Sequence, residues 1–213
     1  MTAVFGFDFS CSKPAMTSYI DGKIEFYVWP AEIDDVSLEK LTSCGAHIFN
    51  RELHKIKPKS LDQHQLIIEH TTRATKLSEM ILDTINEICE KNNIKRSDVY
   101  VANESFAFSR SGNATLQLAG YKYILMHDLM KNGYTNLKTY SPIRIKKTAG
   151  CSQKGLGKEA MINAMSKEPA SNMFMDFLQN HNDVLRKKTN YVLCMDDIAD
   201  SYWNMKTCLA DIG

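Results

Sequence analysis

Val4-Phe5-Gly6-Phe7-Asp8-Phe9-Ser10 is the stretch on which the reading of this chain turns. Val4, Phe5, Phe7 and Phe9 have the bulk and β-propensity of a buried strand. One carboxylate, Asp8, interrupts them. A charge on a buried strand is costly unless it is paired, hydrogen-bonded or bound to a metal. Alone, Asp8 fits a strand-end residue bonded to a backbone amide as well as it fits a ligand. Ser10, Ser12, Lys13 and Pro14 then break the run, and two further strand-like stretches follow at 15–20 and 24–29. Asp21-Gly22 between them is a hairpin signal. Three antiparallel strands are therefore expected to open the chain.

Working outward, 213 residues suffice for one domain with a sizeable core, here 1–213 with an irregular insertion at about 30–61. The apolar content of 44% and charged content of 24% are those of an ordinary water-soluble globular chain. A net charge of +1 says nothing about partners, but its distribution does. Lys138, Arg144, Lys146, Lys147, Lys154 and Lys158 fall in one stretch without an acidic residue. Such a stretch is an electrostatic footprint for a polyanion, or else a solvated charged face. The six cysteines are scattered without a CxxC pair, which predicts reduced thiols in a cytoplasmic protein. Cys44, His47, His54, His64 and His70 could gather a metal, but no second half of a zinc pattern accompanies them. No apolar run long enough for a membrane span and no export leader is expected.

Further along, 30–61 reads as a short helix and an irregular connection. Ile67, Ala74, Leu77, Ile81, Ile85 and Ile88 recur at helical spacing, predicting a long helix over about 62–91 that packs on a sheet. Residues 98–105 read as a core strand ending in another lone carboxylate, Glu104. After Phe106 and Phe108, a turn through Arg110, Gly112 and Asn113 leads to a helix at about 114–132 that is apolar on nearly all sides. Such a helix is central to a core or shared with a partner chain. A short strand is expected at 137–140, a turn at Pro142, helices at about 158–167 and 170–180, and a brief apolar run at 191–195. The last helix opens at Asp196-Asp197. Capping accounts well for one of that pair but poorly for Asp200, which shares a helical face with Asp197.

Asp8 and Glu104 thus close two separate strands, and Asp197 and Asp200 open the last helix. Four carboxylates brought together stay ionised only if cations neutralise them. Hard oxygen ligands in that number suit Mg²⁺ or Mn²⁺. Two such ions about 4 Å apart activate water on one side of a phosphodiester and stabilise the leaving oxygen on the other.

At residues 4–29 and 62–210 the chain resembles the RuvC-type Holliday junction resolvases of the ribonuclease H-like superfamily, phage-encoded members more than bacterial ones. Gly6-Phe7-Asp8 resembles the first catalytic aspartate, Val101 to Glu104 the second acid, and Asp197-Ile198-Ala199-Asp200 the closing pair. The Leu116-Gln117-Leu118-Ala119-Gly120 segment lies on the helix that helps form the dimer in relatives. Ile145-Lys146-Lys147-Thr148-Ala149-Gly150 with Lys158-Glu159 is similar to a lysine–glycine–lysine segment that contacts DNA. Relatives usually have Gly soon after the first aspartate, where this chain has Phe9-Ser10. They often place a wedging Phe three residues after the glutamate, where this chain has Ala107 between Phe106 and Phe108.

The resemblance implies a mixed five-stranded α/β sheet, three antiparallel strands plus parallel ones, flanked by helices. It implies a homodimer through the helix at 114–132 that nicks a four-way DNA junction symmetrically, with two Mg²⁺ or Mn²⁺ ions per site. Asp8 would bridge both ions, Glu104 and Asp200 would each hold one, and Asp197 would ligate or position the water. Lys146 and Lys158 would neutralise phosphates at the scissile bond, with Phe106, Phe108, Arg110, Arg144, Lys147 and Lys154 as further DNA contacts. Alternatives are a ribonuclease H-like nuclease for other branched DNA or RNA–DNA hybrids, and a non-catalytic junction-binding module. An actin-like ATPase shares the opening strand, but it needs a second domain and a second glycine-rich phosphate turn, and the chain lacks that turn.

Overall fold

The computed structural model describes residues 2–49, 62–105, 112–153, 156–169, 172–180 and 194–213. The opening stretch is strand β1 (Ala3–Asp8), followed by β2 (Ala15–Ile20) and β3 (Lys23–Val28). β1 pairs antiparallel with β2, and β2 with β3, with Asp21 and Gly22 both at positive φ in the connecting turn. Helix α1 (Asp35–Ser43) and the two-residue strand β4 (His47–Ile48) follow, then the long helix α2 (Gln63–Lys91) and strand β5 (Val99–Glu104). Helix α3 (Gly112–Lys131), strand β6 (Asn136–Tyr140) and four helices complete the chain: α4 (Pro142–Thr148), α5 (Lys158–Met165), α6 (Met173–Asn180) and α7 (Met195–Ile212).

The sheet runs β4-β3-β2-β1-β5-β6, with β1, β5 and β6 mutually parallel. This is the mixed α/β arrangement expected above, an antiparallel unit continued by parallel strands, with helices on both faces. It has six described strands rather than five. The extra one, β4, comes from the 30–61 segment and pairs parallel to β3, placing His47 4.6 Å from the Tyr27 ring in a stack. The short helix expected there is α1, N-capped by Asp34, whose carboxylate accepts from the Ser37 amide at 2.8 Å. Residues 50–61 lie outside the described residues.

Alternation along β1 sorts the two cores. Ala3, Phe5 and Phe7 face the layer of α2 and α3, where they meet Leu77, Ile81, Ile85, Tyr121, Leu125 and Leu129. Val4, Gly6 and Asp8 face the other way, toward α7. Gly6 is what lets α7 come close: a Cβ there would stand 2.3 Å from both the Met205 amide nitrogen and the Ser201 carbonyl oxygen. Only hydrogen on Gly6 Cα permits this packing. The contact is fixed further by a 2.8 Å hydrogen bond between the Thr17 and Ser201 hydroxyls, and by Asn204 donating to the Phe7 carbonyl at 2.9 Å.

Three local expectations change. Gly112 and Asn113 begin α3 rather than ending a turn. Pro142 starts a helix: Ser141 accepts from the Arg144 amide, and proline takes the first helical position, where its missing N–H costs nothing. Of the apolar run at 191–195, only Cys194 and Met195 are described, at the start of α7.

Candidate active site

Asp8 is the last residue of β1 and Glu104 the last of β5. The two strands are parallel neighbours in register at Phe7 and Asn103, so both acids stand one step beyond, at the carboxyl edge of the sheet. That edge is where open α/β sheets bind ligands. Ala102 packs in the α7-side core and Val101 in the opposite one, so alternation turns Glu104, like Asp8, toward α7. The first turns of α7 bring Asp197 and Asp200 to the same place. Neither Asp196 nor Asp197 is the N-cap, because the helix starts at Met195 behind Cys194, which caps it in the left-handed region at φ 70°. Both aspartates therefore sit in the first turn, favourable for negative charge. Asp196 Oδ2 takes the Lys158 ammonium at 2.6 Å, while Asp197 is buried.

Burial and crowding define the chemistry. Asp8 is held well above the ordinary aspartate range by burial, then by the charges of Asp200 and Asp197. Asp200 is pushed up to about 7, mainly by burial, with Glu104 adding and Lys158 opposing. Asp197 is pushed up to about 6 by burial and then by Asp196. Burial also raises Glu104, against the pull of Lys122, Lys146 and Lys158. Lys158 loses by burial but gains more from Asp196, Asp200 and Asp197, so its charge is held more firmly than usual. The four acids singled out in the sequence are thus within electrostatic reach of one another, with Lys146 and Lys158 beside them.

The donor set is hard oxygen on buried, mutually repelling carboxylates, which is chemistry that Mg²⁺ or Mn²⁺ fits. Among the described residues no group of three Asp, Glu, His or Cys is arranged to hold an ion. The Cys44–His47 idea is not supported either: Cys44 is buried and bonds the Leu41 carbonyl, and His47 stacks on Tyr27.

The remaining basic candidates divide. Lys146 and Lys147 are exposed on α4. Arg144 is engaged, 2.5 Å from Asp211 and 4.9 Å over the Tyr140 ring, so it ties α4 to the end of α7. Phe106, Phe108, Arg110 and Lys154 lie outside the described residues.

Sequence reasoning passed over three residues. Lys122 on α3 is buried and donates to the backbone carbonyl of Glu104; a lysine mid-way along a helix apolar on nearly all sides was its signal. Lys13 pulls Asp197 downward from the β1–β2 loop. Asn204, fully buried one turn beyond Asp200, anchors α7 to β1; nothing local distinguishes it.

No family model matches the chain, and no curated protein sequence does. Among solved structures, the chain is similar to RuvC of Thermus thermophilus in complex with a Holliday junction substrate. That match has 10% identity and a TM-score of 0.48, covering 95% of this chain and 94% of that one. A second T. thermophilus RuvC structure gives 11% identity and 0.48 over 95% and 94%. The yeast mitochondrial Holliday junction resolvase gives 13% and 0.45, over 97% of this chain and 77% of that one. The roles of individual side chains rest on the geometry above, not on these likenesses.

Proposed function

We propose that the protein is a divalent-metal-dependent endonuclease that resolves four-way DNA junctions by paired symmetric nicks. One observation carries the reading: Asp8, Glu104, Asp197 and Asp200, from three separate elements, meet half-buried or buried at one sheet edge, where burial raises all four and the neighbouring acids add to the rise at Asp8 and Asp200. A structural ion-pair cluster would balance such acids with as many internal cations. Here the internal cations facing the acids, Lys122 and Lys158, are fewer than the acids, which leaves room for a bound cation.

In this reading Asp8, Glu104, Asp197 and Asp200 would hold two Mg²⁺ or Mn²⁺ ions, which supply an activated water and charge stabilisation of the leaving oxygen. Asp8 and Glu104 are fixed by β1 and β5, so their separation is set by sheet pairing rather than by loops. Asp197 and Asp200 are fixed through Gly6, Ser201 and Asn204, which lock α7 on β1. Lys158, oriented by Asp196, and Lys146, exposed at the rim of α4, would receive the phosphates flanking the scissile bond. Such contacts position DNA without reading its sequence. A homodimer is proposed through α3, on which Tyr123 and Met130 remain 65% and 62% exposed while Tyr121, Leu125 and Leu129 fill the core. Two sites facing two strands would account for symmetric nicking.

Incubation of the purified protein with Mg²⁺ and a labelled four-way junction, a linear duplex and an RNA–DNA hybrid tests this. Paired nicks confined to the junction are expected. Equal cutting of all three would replace junction resolution with broader nuclease activity. Tight junction binding without cutting would make the chain a binding module.

A further inference from the structure

The metal-centre reading, on which this inference rests, leaves one buried charge unassigned. Lys122 lies mid-way along α3, on the face of the sheet opposite α7, and is only 8% exposed. Its ammonium donates to the Glu104 carbonyl at the end of β5. The charges that act on it are those of Glu104 and Asp8, the two acids fixed by the sheet. In return it is the strongest attractive charge on Glu104, ahead of Lys146 and Lys158. A buried ammonium is costly unless paired, and a helix that only needed packing here would be served by Leu or Met.

We propose that Lys122 is the resident counter-cation of this site: delivered from the far face of the sheet, it holds Asp8 and Glu104 together while no divalent ion is bound, and it competes with that ion. It is a positioning residue, with no contact to substrate. Because its charge and the incoming ion act on the same two carboxylates, removing it has opposite effects on the two states. The metal-free protein loses its internal neutraliser, and the ion meets less repulsion.

The test is a double-variant cycle with a metal titration. Unfolding by urea in chelator is measured for wild type, Lys122→Met, Glu104→Gln and the double variant. Lys122→Met is expected to lower the folding constant about tenfold more in the wild-type background than in the Glu104→Gln background. Mn²⁺ binding by calorimetry is expected to be about tenfold tighter in Lys122→Met, and near wild type in Lys122→Arg. Should Lys122→Met fail to fold, Lys122→Gln removes the charge while keeping a donor for the Glu104 carbonyl, and serves in both measurements. Additive stabilities, or Mn²⁺ binding unchanged or weakened by loss of the charge, overturn the proposal. Coupling in chelator with no Mn²⁺ binding by any variant upholds the counter-cation and overturns the metal-centre reading instead.

Discussion

At the scale of residues, this protein concentrates its electrostatic cost in one place. Elsewhere charge is handled cheaply: Glu69 with Arg73, Lys23 with Glu25 and Lys206 with Glu168 are partly solvent-exposed ion pairs, of the kind worth little each. At the carboxyl edge of the sheet, by contrast, burial raises four acids together. The consequence for stability has a definite sign. Asp197 and Asp200 titrate at about 6 and about 7 when folded, against 3.8 for an ordinary aspartate. The folded state therefore binds more protons than the unfolded state between roughly pH 4 and pH 7, and their contribution is lost as pH rises through that window. Metal-free protein should be less stable to urea at pH 7.5 than at pH 5. Asp200→Asn should remove roughly 1 to 3 kcal/mol of that difference. An equal pH dependence in wild type and variant would show that Asp200 is not held in the crowded, buried state described here.

At the scale of elements, the site depends on how closely α7 lies on β1. Gly6 is the contact that permits it. A methyl group there would meet backbone on the helix side, which cannot swing away as a side-chain tip can. Gly6→Ala should destabilise the fold by about 3 kcal/mol and displace Asp197 and Asp200 from Asp8. Urea unfolding together with Mn²⁺ titration checks this, and a variant that is stable and binds Mn²⁺ normally would contradict it. The same pair of elements shows what was legible beforehand. Asp8 stood out because a charge interrupts a run of buried aromatics, and Asp200 because capping cannot explain an acid one turn into a helix. The Asp-Gly turn fixed the order of the first three strands. Helix α4 was readable in principle from Ser141-Pro142, a cap followed by a proline at the first helical position, but a proline signals a turn as readily. Strand β4 was not readable, since two residues carry no period. Lys13 and Asn204 reach the site only through tertiary packing, and no local pattern marks them; Lys122 was marked only as a charge in a mostly apolar helix.

At the scale of the whole molecule, the two faces of the sheet divide the work. The α7 face carries the acids, Lys158 and the α4 lysines; the α2–α3 face supplies Lys122 and an outer stripe with Tyr123, His127 and Met130 exposed. Among the described residues no helix is long and apolar enough to cross a membrane. The proposed DNA contact thus falls at one edge of the sheet and the proposed second copy across α3. The central claim is that the four carboxylates form a metal-dependent nuclease centre distinct from the basic surface that holds DNA. The most direct measurement is single-turnover cleavage of a synthetic four-way junction by wild type and Asp8→Asn, in Mg²⁺ and in chelator, with junction affinity measured in parallel. The account predicts Mg²⁺-dependent paired nicks by wild type, and a loss of at least about a hundredfold in Asp8→Asn with junction binding retained. Cleavage by Asp8→Asn at the wild-type rate, or wild-type cleavage undiminished in chelator, would contradict it.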